Sequence, residues 1–191
     1  MQLQIIVSGI PASGKSTVGH AVAAALGLPM LDKDEILEAL FDSKGVGNAE
    51  WRARLSRVAD ETFQELALRS DSTVLTSWWR HPLSQVDSGT PVEWLSSLRG
   101  VVIELHCVCS PQVATARFLA RRRHEGHLDR SKTYDDVLAT FRQHAALGPL
   151  GVGPVISVNT EREVELLTLL AEVDSLTVGA DEGTQAVRYL E

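Results

Sequence analysis

Nine residues near the start of the chain carry the strongest chemical signal. Gly9-Ile10-Pro11-Ala12-Ser13-Gly14-Lys15-Ser16-Thr17 fits the pattern G-x-x-x-x-G-K-[ST]. Gly9 and Gly14 let the backbone curl, so that the N–H groups of Pro11's neighbours, Ala12, Ser13 and Gly14 turn inward onto phosphate oxygens. Lys15 has the reach and charge for the outer phosphates of a nucleoside triphosphate. The Ser16 hydroxyl suits Mg²⁺, and Thr17 follows it on the opening turn of a helix. The expected ligands are therefore ATP and Mg²⁺. Three further groups could act on them. Asp32 and Asp34 bracket Lys33 just after a short apolar run; a carboxylate there can take a hydroxyl proton or hold Mg²⁺ through water. Arg117 and Arg121 are four apart and share a helical face, with Arg122, Arg123 and Arg130 beyond them. A closing arginine stabilises the charge that phosphoryl transfer spreads over oxygen. Trp78-Trp79-Arg80 offers flat apolar faces and a cation, and Arg80 with Arg54 or Arg57 suits an anionic acceptor.

Elements of alternating type must position these groups. Leu3–Val7, Pro29–Leu31, Thr73–Ser77, Val101–Val108 and Val155–Val158 read as buried strands. Ser16–Leu26, Glu35–Phe41, Ala49–Arg69, Pro111–Arg123, Tyr134–Ala146 and Glu161–Val173 read as helices. Gly27 stops the first; Ser110 and Pro111 start the fourth. Strand–helix alternation implies a parallel sheet covered on both faces, with ligands beyond the carboxyl ends of its strands. The phosphate loop, the acidic turn and the aromatic turn named above fall at such ends.

Composition narrows the function classes. The chain has 191 residues, 44% of them hydrophobic, and a net charge of −7. That is an ordinary single-domain composition. The acidity weighs against a nucleic-acid partner without excluding a local basic patch. No apolar run is long enough for a membrane span and no leader pattern opens the chain, so a cytoplasmic protein is expected. The two cysteines, Cys107 and Cys109, read as buried reduced thiols. No Asn-Lys-x-Asp segment reads guanine, and the chain is short for a motor ATPase.

The loop, the Asp-Lys-Asp-Glu segment and the Arg-x-x-x-Arg helix together resemble the P-loop kinases of the nucleoside-monophosphate-kinase type. The resemblance is strongest to the small kinases related to chloramphenicol phosphotransferase, gluconate kinase, zeta toxins and the polynucleotide kinase domain. It covers most of Met1–Val173. It implies a three-layer α/β fold, with a five-stranded parallel sheet in the order 2-3-1-4-5 and a lid over residues 117–134. The kinase domain would span residues 1–174, and residues 175–191 would form a tail or a loosely packed helix. By the same resemblance Asp34 is the better candidate base and Asp32 the runner-up; Arg117 stacks near adenine, Arg121 reaches the phosphates and Arg130 closes from the lid. Arg122 and Arg123 are expected to face solvent. His124, His127 and Asp129 have metal-ligand spacing, but the phosphate-directed loop weighs against it. Relatives often place an acid at the end of the third strand; Thr76 and Ser77 stand there instead. Either these hydroxyls or the carboxylates of Asp32 and Asp34 would then serve the Mg²⁺ shell. The expected activity is ATP-dependent transfer of phosphate to a hydroxyl of a sugar, sugar acid, nucleoside or antibiotic, by a monomer or homodimer. The alternatives are a polynucleotide 5′-hydroxyl kinase and an ATP-dependent switch or toxin.

Overall fold

The computed structural model describes residues 2–129 and 132–188, with side chains as far as residue 178. Five strands alternate with six helices: β1 (Leu3–Ser8), α1 (Lys15–Leu26), β2 (Met30–Asp32), α2 (Lys33–Lys44), α3 (Ala49–Arg69), β3 (Thr73–Thr76), β4 (Val101–Val108), α4 (Pro111–Ala120), α5 (Tyr134–Ala145), β5 (Val155–Asn159) and α6 (Leu166–Arg188). All strand pairs are parallel, in the order β2-β3-β1-β4-β5. The expected α/β architecture and strand order are those observed.

Burial explains the order. β1 is central, and Ile5, Ile6 and Val7 are fully buried between the two helical layers. On one face Ile5, Val7, Val74 and Leu105 pack with Val18 and Val22 of α1 and Leu169 and Val173 of α6. On the other, Ile6 and Leu75 meet Phe63 and Ala67 of α3. Leu37 and Phe41 of α2 join Leu55 and Ala59 of α3 in a third cluster. Ala114 and Phe118 of α4 pack on Val137 and Phe141 of α5, and Ile10 of the loop joins them.

Register then fixes where chemistry can occur. Asp32 is level with Thr76, Thr76 with Val7, and Val7 with Leu105. The ends of β2, β3, β1 and β4 thus open on one rim. Beneath it the fully buried Glu104 accepts from the Ser8 hydroxyl at 2.5 Å and from the Leu150 and Gly151 N–H groups at 2.8 and 2.9 Å. Those bonds satisfy a carboxylate that would otherwise be costly to bury, and they tie the 147–151 loop to the sheet under the phosphate loop.

Three helices differ by three residues or more from their sequence reading. α2 spans Lys33–Lys44, not Glu35–Phe41. α4 ends at Ala120, not Arg123; Arg121 is already extended at φ −74°, ψ 146°. The last helix starts at Leu166, not Glu161, and runs on through Arg188. Leu176 packs on the core and Thr177 is buried, so the helix is anchored beyond Val173. Both cysteines are buried and free. Among the described residues no helix is long and apolar enough to cross a membrane.

Candidate active site

The loop has the backbone that its glycines foreshadow. Gly9 (φ +124°) and Gly14 (φ +91°) take conformations that side chains disfavour, and a Cβ on Gly9 would lie 2.4 Å from the Cys107 carbonyl oxygen. Ala12 is also left-handed, at φ 59°. That costs a non-glycine residue about 1 kcal/mol or more, and the Ser13 N–H to Ile10 carbonyl turn at 3.2 Å helps hold it. Pro11, Ala12, Gly14, Lys15, Ser16 and Thr17 line a cleft of about 1220 Å³. Gly9 faces a separate cavity of about 80 Å³ behind the loop. The larger cleft exceeds the roughly 300–1,000 Å³ that one small ligand needs, which leaves room for two.

Lys15 folds back over the loop, its Nζ donating to the carbonyls of Gly9 at 3.0 Å and Ile10 at 2.9 Å. Burial pushes its pKa down to about 8, against the opposing pull of Cys107, Asp34 and Asp32. The hydroxyls of Ser13 and Thr76 are buried without a partner among the described residues. A lysine satisfied only by carbonyls, beside two orphaned hydroxyls, fits a polyanion with a divalent cation. The other side of the loop is braced by Thr160, whose hydroxyl donates to the Ser13 carbonyl at 2.6 Å. Arg117 Nη2 in turn donates to the Thr160 carbonyl at 2.8 Å. This brace links α4, the end of β5 and the loop.

The two carboxylates of the acidic turn have separate tasks. Asp32, not Asp34, caps α2: its Oδ1 accepts the Asp34 N–H at 2.9 Å. Its Oδ2 accepts the Ser16 hydroxyl at 2.7 Å. Burial raises the Asp32 carboxyl above its usual range, against the hydrogen bonds from Ser16 and Asp34. Asp34 lines the cleft and is ion-paired with Arg123. Burial pushes its carboxyl up, but Arg123, His127, Lys33 and Lys15 together hold it below the usual range. Asp34 is therefore ionised at neutral pH and able to accept a proton.

The arginines are only partly where the helix pattern puts them. Arg117 and Arg121 both line the cleft. The Arg121 guanidinium lies 4.8 Å from the Phe118 ring centroid. Arg123 does not face solvent: it bridges Asp34 and Asp129, the second at 3.0 Å. Arg130 lies outside the described residues. His124 and His127 pack against α2, and no group of three metal-ligating side chains occurs among the described residues.

On the acceptor side the two tryptophans part company. Trp78 lines the cleft, with its ring 5.4 Å from that of His144. Trp79 is core: only 4% exposed, packed on Phe63 and Trp94, with its indole N–H donating to the Val7 carbonyl at 2.9 Å. Arg80 lines the cleft and pairs with Asp87 at 2.6 Å. Arg54 does not; it points outward, over Trp51 and toward Glu50. Arg52, Ser56, Arg57 and Asp60 supply the cleft face of α3 instead. Lys33 donates to Ser56 at 2.7 Å and pairs with Asp60 at 3.4 Å. Asp60 accepts from Thr90 at 2.7 Å, and the Thr90 hydroxyl lies 2.5 Å from that of Ser77. Thr160, Asp60 and Thr90 were not singled out from sequence, and Arg123 was assigned to solvent. The spacing of Arg52, Ser56 and Asp60, beside the apolar Leu55, Ala59 and Phe63, was the available signal for the α3 stripe.

A family model described as an AAA domain matches residues 5–147, the span holding the loop, the acidic turn, α3 and the arginine helix. A shikimate kinase of Paracidovorax citrulli is 39% identical over 67 residues, which are 34% of this chain and 37% of that relative. The match thus spans little more than a third of the curated relative's length. A crystal structure from Chloroflexus aurantiacus, of a protein described as a kinase by inference, is 26% identical with a TM-score of 0.70, covering 91% of this chain and 97% of that one. Shikimate kinase from Acinetobacter baumannii, solved with shikimate, has a TM-score of 0.58 at 18% identity and covers 93% of each chain. A gluconokinase from Sinorhizobium meliloti has a TM-score of 0.50 at 17% identity, over 98% of this chain and 97% of its own. At such identities the last two likenesses concern the fold, which is that of the P-loop kinases. With its family model covering most of the sheet and the whole loop, this chain belongs to the AAA domain family of P-loop nucleotide-binding proteins.

Proposed function

We propose that this protein is an ATP-dependent kinase that moves the γ-phosphate to a hydroxyl of a small molecule. One observation carries the reading: Lys15, the Ser16–Asp32 pair and the ionised Asp34 converge on a single cleft large enough for two substrates. Lys15 would leave the loop carbonyls for the outer phosphates. Ser16, with Asp32 behind it, would hold Mg²⁺, which supplies charge neutralisation to the phosphates when bound. Asp34 would take the proton of the acceptor hydroxyl as its oxygen bonds to the γ-phosphorus and the bond to the β-phosphate oxygen breaks. Arg121 would stabilise the charge on the transferring group, and Arg117 would border the nucleotide beside Thr160. Asp32 is our candidate for the acid that relatives place on the third strand.

The acceptor side favours a small molecule with an acidic group. Lys33 is matched by Asp60 and Arg80 by Asp87, whereas Arg52 and Arg57 have no ion-pair partner among the described residues. Trp78 supplies an apolar wall. The test is ADP release from Mg-ATP with a panel of neutral sugars, hydroxy acids such as shikimate and gluconate, nucleosides, and an oligonucleotide bearing a 5′-hydroxyl. Stimulation by a hydroxy acid is expected. If no acceptor stimulates release while a protein partner binds only with ATP, the protein is a switch instead.

The tryptophans give a second, internally controlled test. Trp78→Ala raises the acceptor KM by roughly tenfold with little loss of stability, as expected for one lost aromatic contact. Trp79→Ala lowers stability by about 3–5 kcal/mol, the usual result of truncating a buried tryptophan. Thermal melts and acceptor titrations separate the two; equal effects would contradict this division.

Lys15 also makes nucleotide affinity pH-dependent. Its pKa of about 8 in the free protein means that the ammonium is lost as pH rises through that value. Phosphate binds the protonated form, so affinity falls above about pH 8 and binding takes up a proton there. Metal-free ADP titrations at pH 7 and pH 9.5 measure this; equal affinities would show that Lys15 does not meet the phosphates.

A further inference from the structure

We propose that Arg123 is the positioning residue of the transfer site, holding one oxygen of Asp34 so that the other stays available to the acceptor hydroxyl. The inference rests on the kinase reading of Asp34. Arg123 Nη2 donates to Asp34 Oδ2, and Nη1 donates to Asp129 Oδ2 at 3.0 Å. Asp34 Oδ1 accepts no hydrogen bond from any described group, and the side chain is half exposed to the cleft. A guanidinium is always charged and presents donors in a rigid fork, so it fixes both the ionisation and the rotation of a carboxylate that it grips.

Arg123 can act this way because its own segment is clamped. His127 is fully buried, with Nε2 2.7 Å from Glu38 and its ring edge-on to Phe41 at 5.6 Å. His124 stacks on Phe41 at 5.2 Å and reaches Asp42 at 3.2 Å. A Cβ on Gly126 would lie 2.4 Å from the Phe41 ring, so backbone meets ring with nothing between. Asp34, Glu38, Phe41 and Asp42 stand at i, i+4, i+7 and i+8, one face of α2. That face binds the stretch from Arg123 to His127 along its length, and Arg123 meets its first turn. Asp129, held also by Lys132 at 2.8 Å, anchors the other arm of the fork. Carrying α4 on to Arg123 would break this seat, which accounts for its stop at Ala120.

The test uses the full-length protein and needs no identified acceptor. The first readout is the slow release of ADP from Mg-ATP with water as acceptor, for Arg123→Met, Arg123→Lys, Asp129→Asn, Asp34→Asn and the double variant Asp34→Asn/Arg123→Met. Arg123→Met lowers kcat about 30-fold with the ATP KM within threefold; Arg123→Lys recovers part of the loss, and Asp129→Asn is intermediate. The double variant is no slower than Asp34→Asn within twofold, because Arg123 acts only through Asp34. Additive losses, or a raised ATP KM at unchanged kcat, would overturn the proposal. The second readout is hydrogen exchange over Lys33–Leu37 and His124–Asp129, expected to speed at least tenfold in Arg123→Met and less in Asp129→Asn. Unchanged exchange in both overturns the clamp. Absence of ADP release from the unmodified protein under all conditions counts against the kinase reading, and exchange then decides the positioning role alone.

Discussion

Lys15→Ala lowers phosphoryl transfer by about 10³-fold or more and leaves the protein folded. The size follows from what the ammonium is placed to do. Its Nζ lies directly on the Gly9 and Ile10 carbonyls of the loop, and removing one preorganised charge from a site that excludes water typically costs 10²–10³-fold in rate, with lost phosphate affinity added. Stability is spared for a separate reason. The ammonium is buried and rests on two loop carbonyls, and burial has already drawn its pKa down to about 8. Deleting it removes a charge that the fold holds at a cost, not one that it leans on. ADP-release kinetics with a thermal melt check both halves. Wild-type turnover in Lys15→Ala would refute the loop assignment. A collapsed melt would show the lysine to be structural.

Asp34→Asn cuts turnover by about 10²–10⁴-fold while ATP affinity changes by less than threefold. The carboxylate is held ionised by Arg123, His127, Lys33 and Lys15, so it can receive a proton at neutral pH, and an amide cannot. The helix cap is no rival explanation, since Asp32 supplies it. The neighbouring change therefore serves as a contrast. Asp32→Asn keeps an acceptor for the Asp34 N–H but weakens the charge behind Ser16, so its main effect is a raised Mg²⁺ requirement. Rates at saturating acceptor, with nucleotide and Mg²⁺ titrations, distinguish these outcomes. An unchanged rate in Asp34→Asn would leave that residue as a partner for Arg123 and nothing more.

The pH dependence of this site has a definite sign. Asp34 has its carboxyl depressed in the folded protein, so its ion pair with Arg123 stabilises the fold above the ordinary carboxylate range. That contribution is lost as pH falls through the depressed value. Against the opposing effect of burial, Lys132 and Arg123 hold Asp129 below its usual range, and it loses its charge over the same range, so acid loosens the seat of residues 123–129 before it affects the apolar clusters around Phe63 and Val22.

Local chemistry is legible wherever it is set by a short run of sequence. Gly9 and Gly14 announce the loop because only a residue without a Cβ fits those backbone angles against Cys107 and Thr160. The apolar runs 3–7, 73–77 and 101–108 announce the sheet because strands buried on both faces need no alternation. Asp34 and Arg117 are visible since each sits just beyond a strand end or along a helix face. Arg123 was misread because its role depends on where α4 stops. Helix propensity carries α4 to residue 123; packing against Phe41, Glu38 and Asp34 ends it at Ala120. Of the two α3 arginines that the sequence offered, Arg57 lines the cleft and Arg54 points outward; they stand only about 60° apart around the helix, a difference that spacing alone does not resolve.

By itself, then, the sequence determined a phosphate cradle at Gly9–Thr17 and a parallel α/β sheet to carry it, because both are encoded by near neighbours and by periodicity. Only the tertiary structure decided which carboxylate caps α2 and which is free, that Trp79 is core while Trp78 faces the cleft, and that Arg123 reaches back to Asp34. Those outcomes depend on contacts between residues up to 89 positions apart. A competition among distant partners for a few buried hydrogen bonds and one aromatic ring leaves no trace in local spacing.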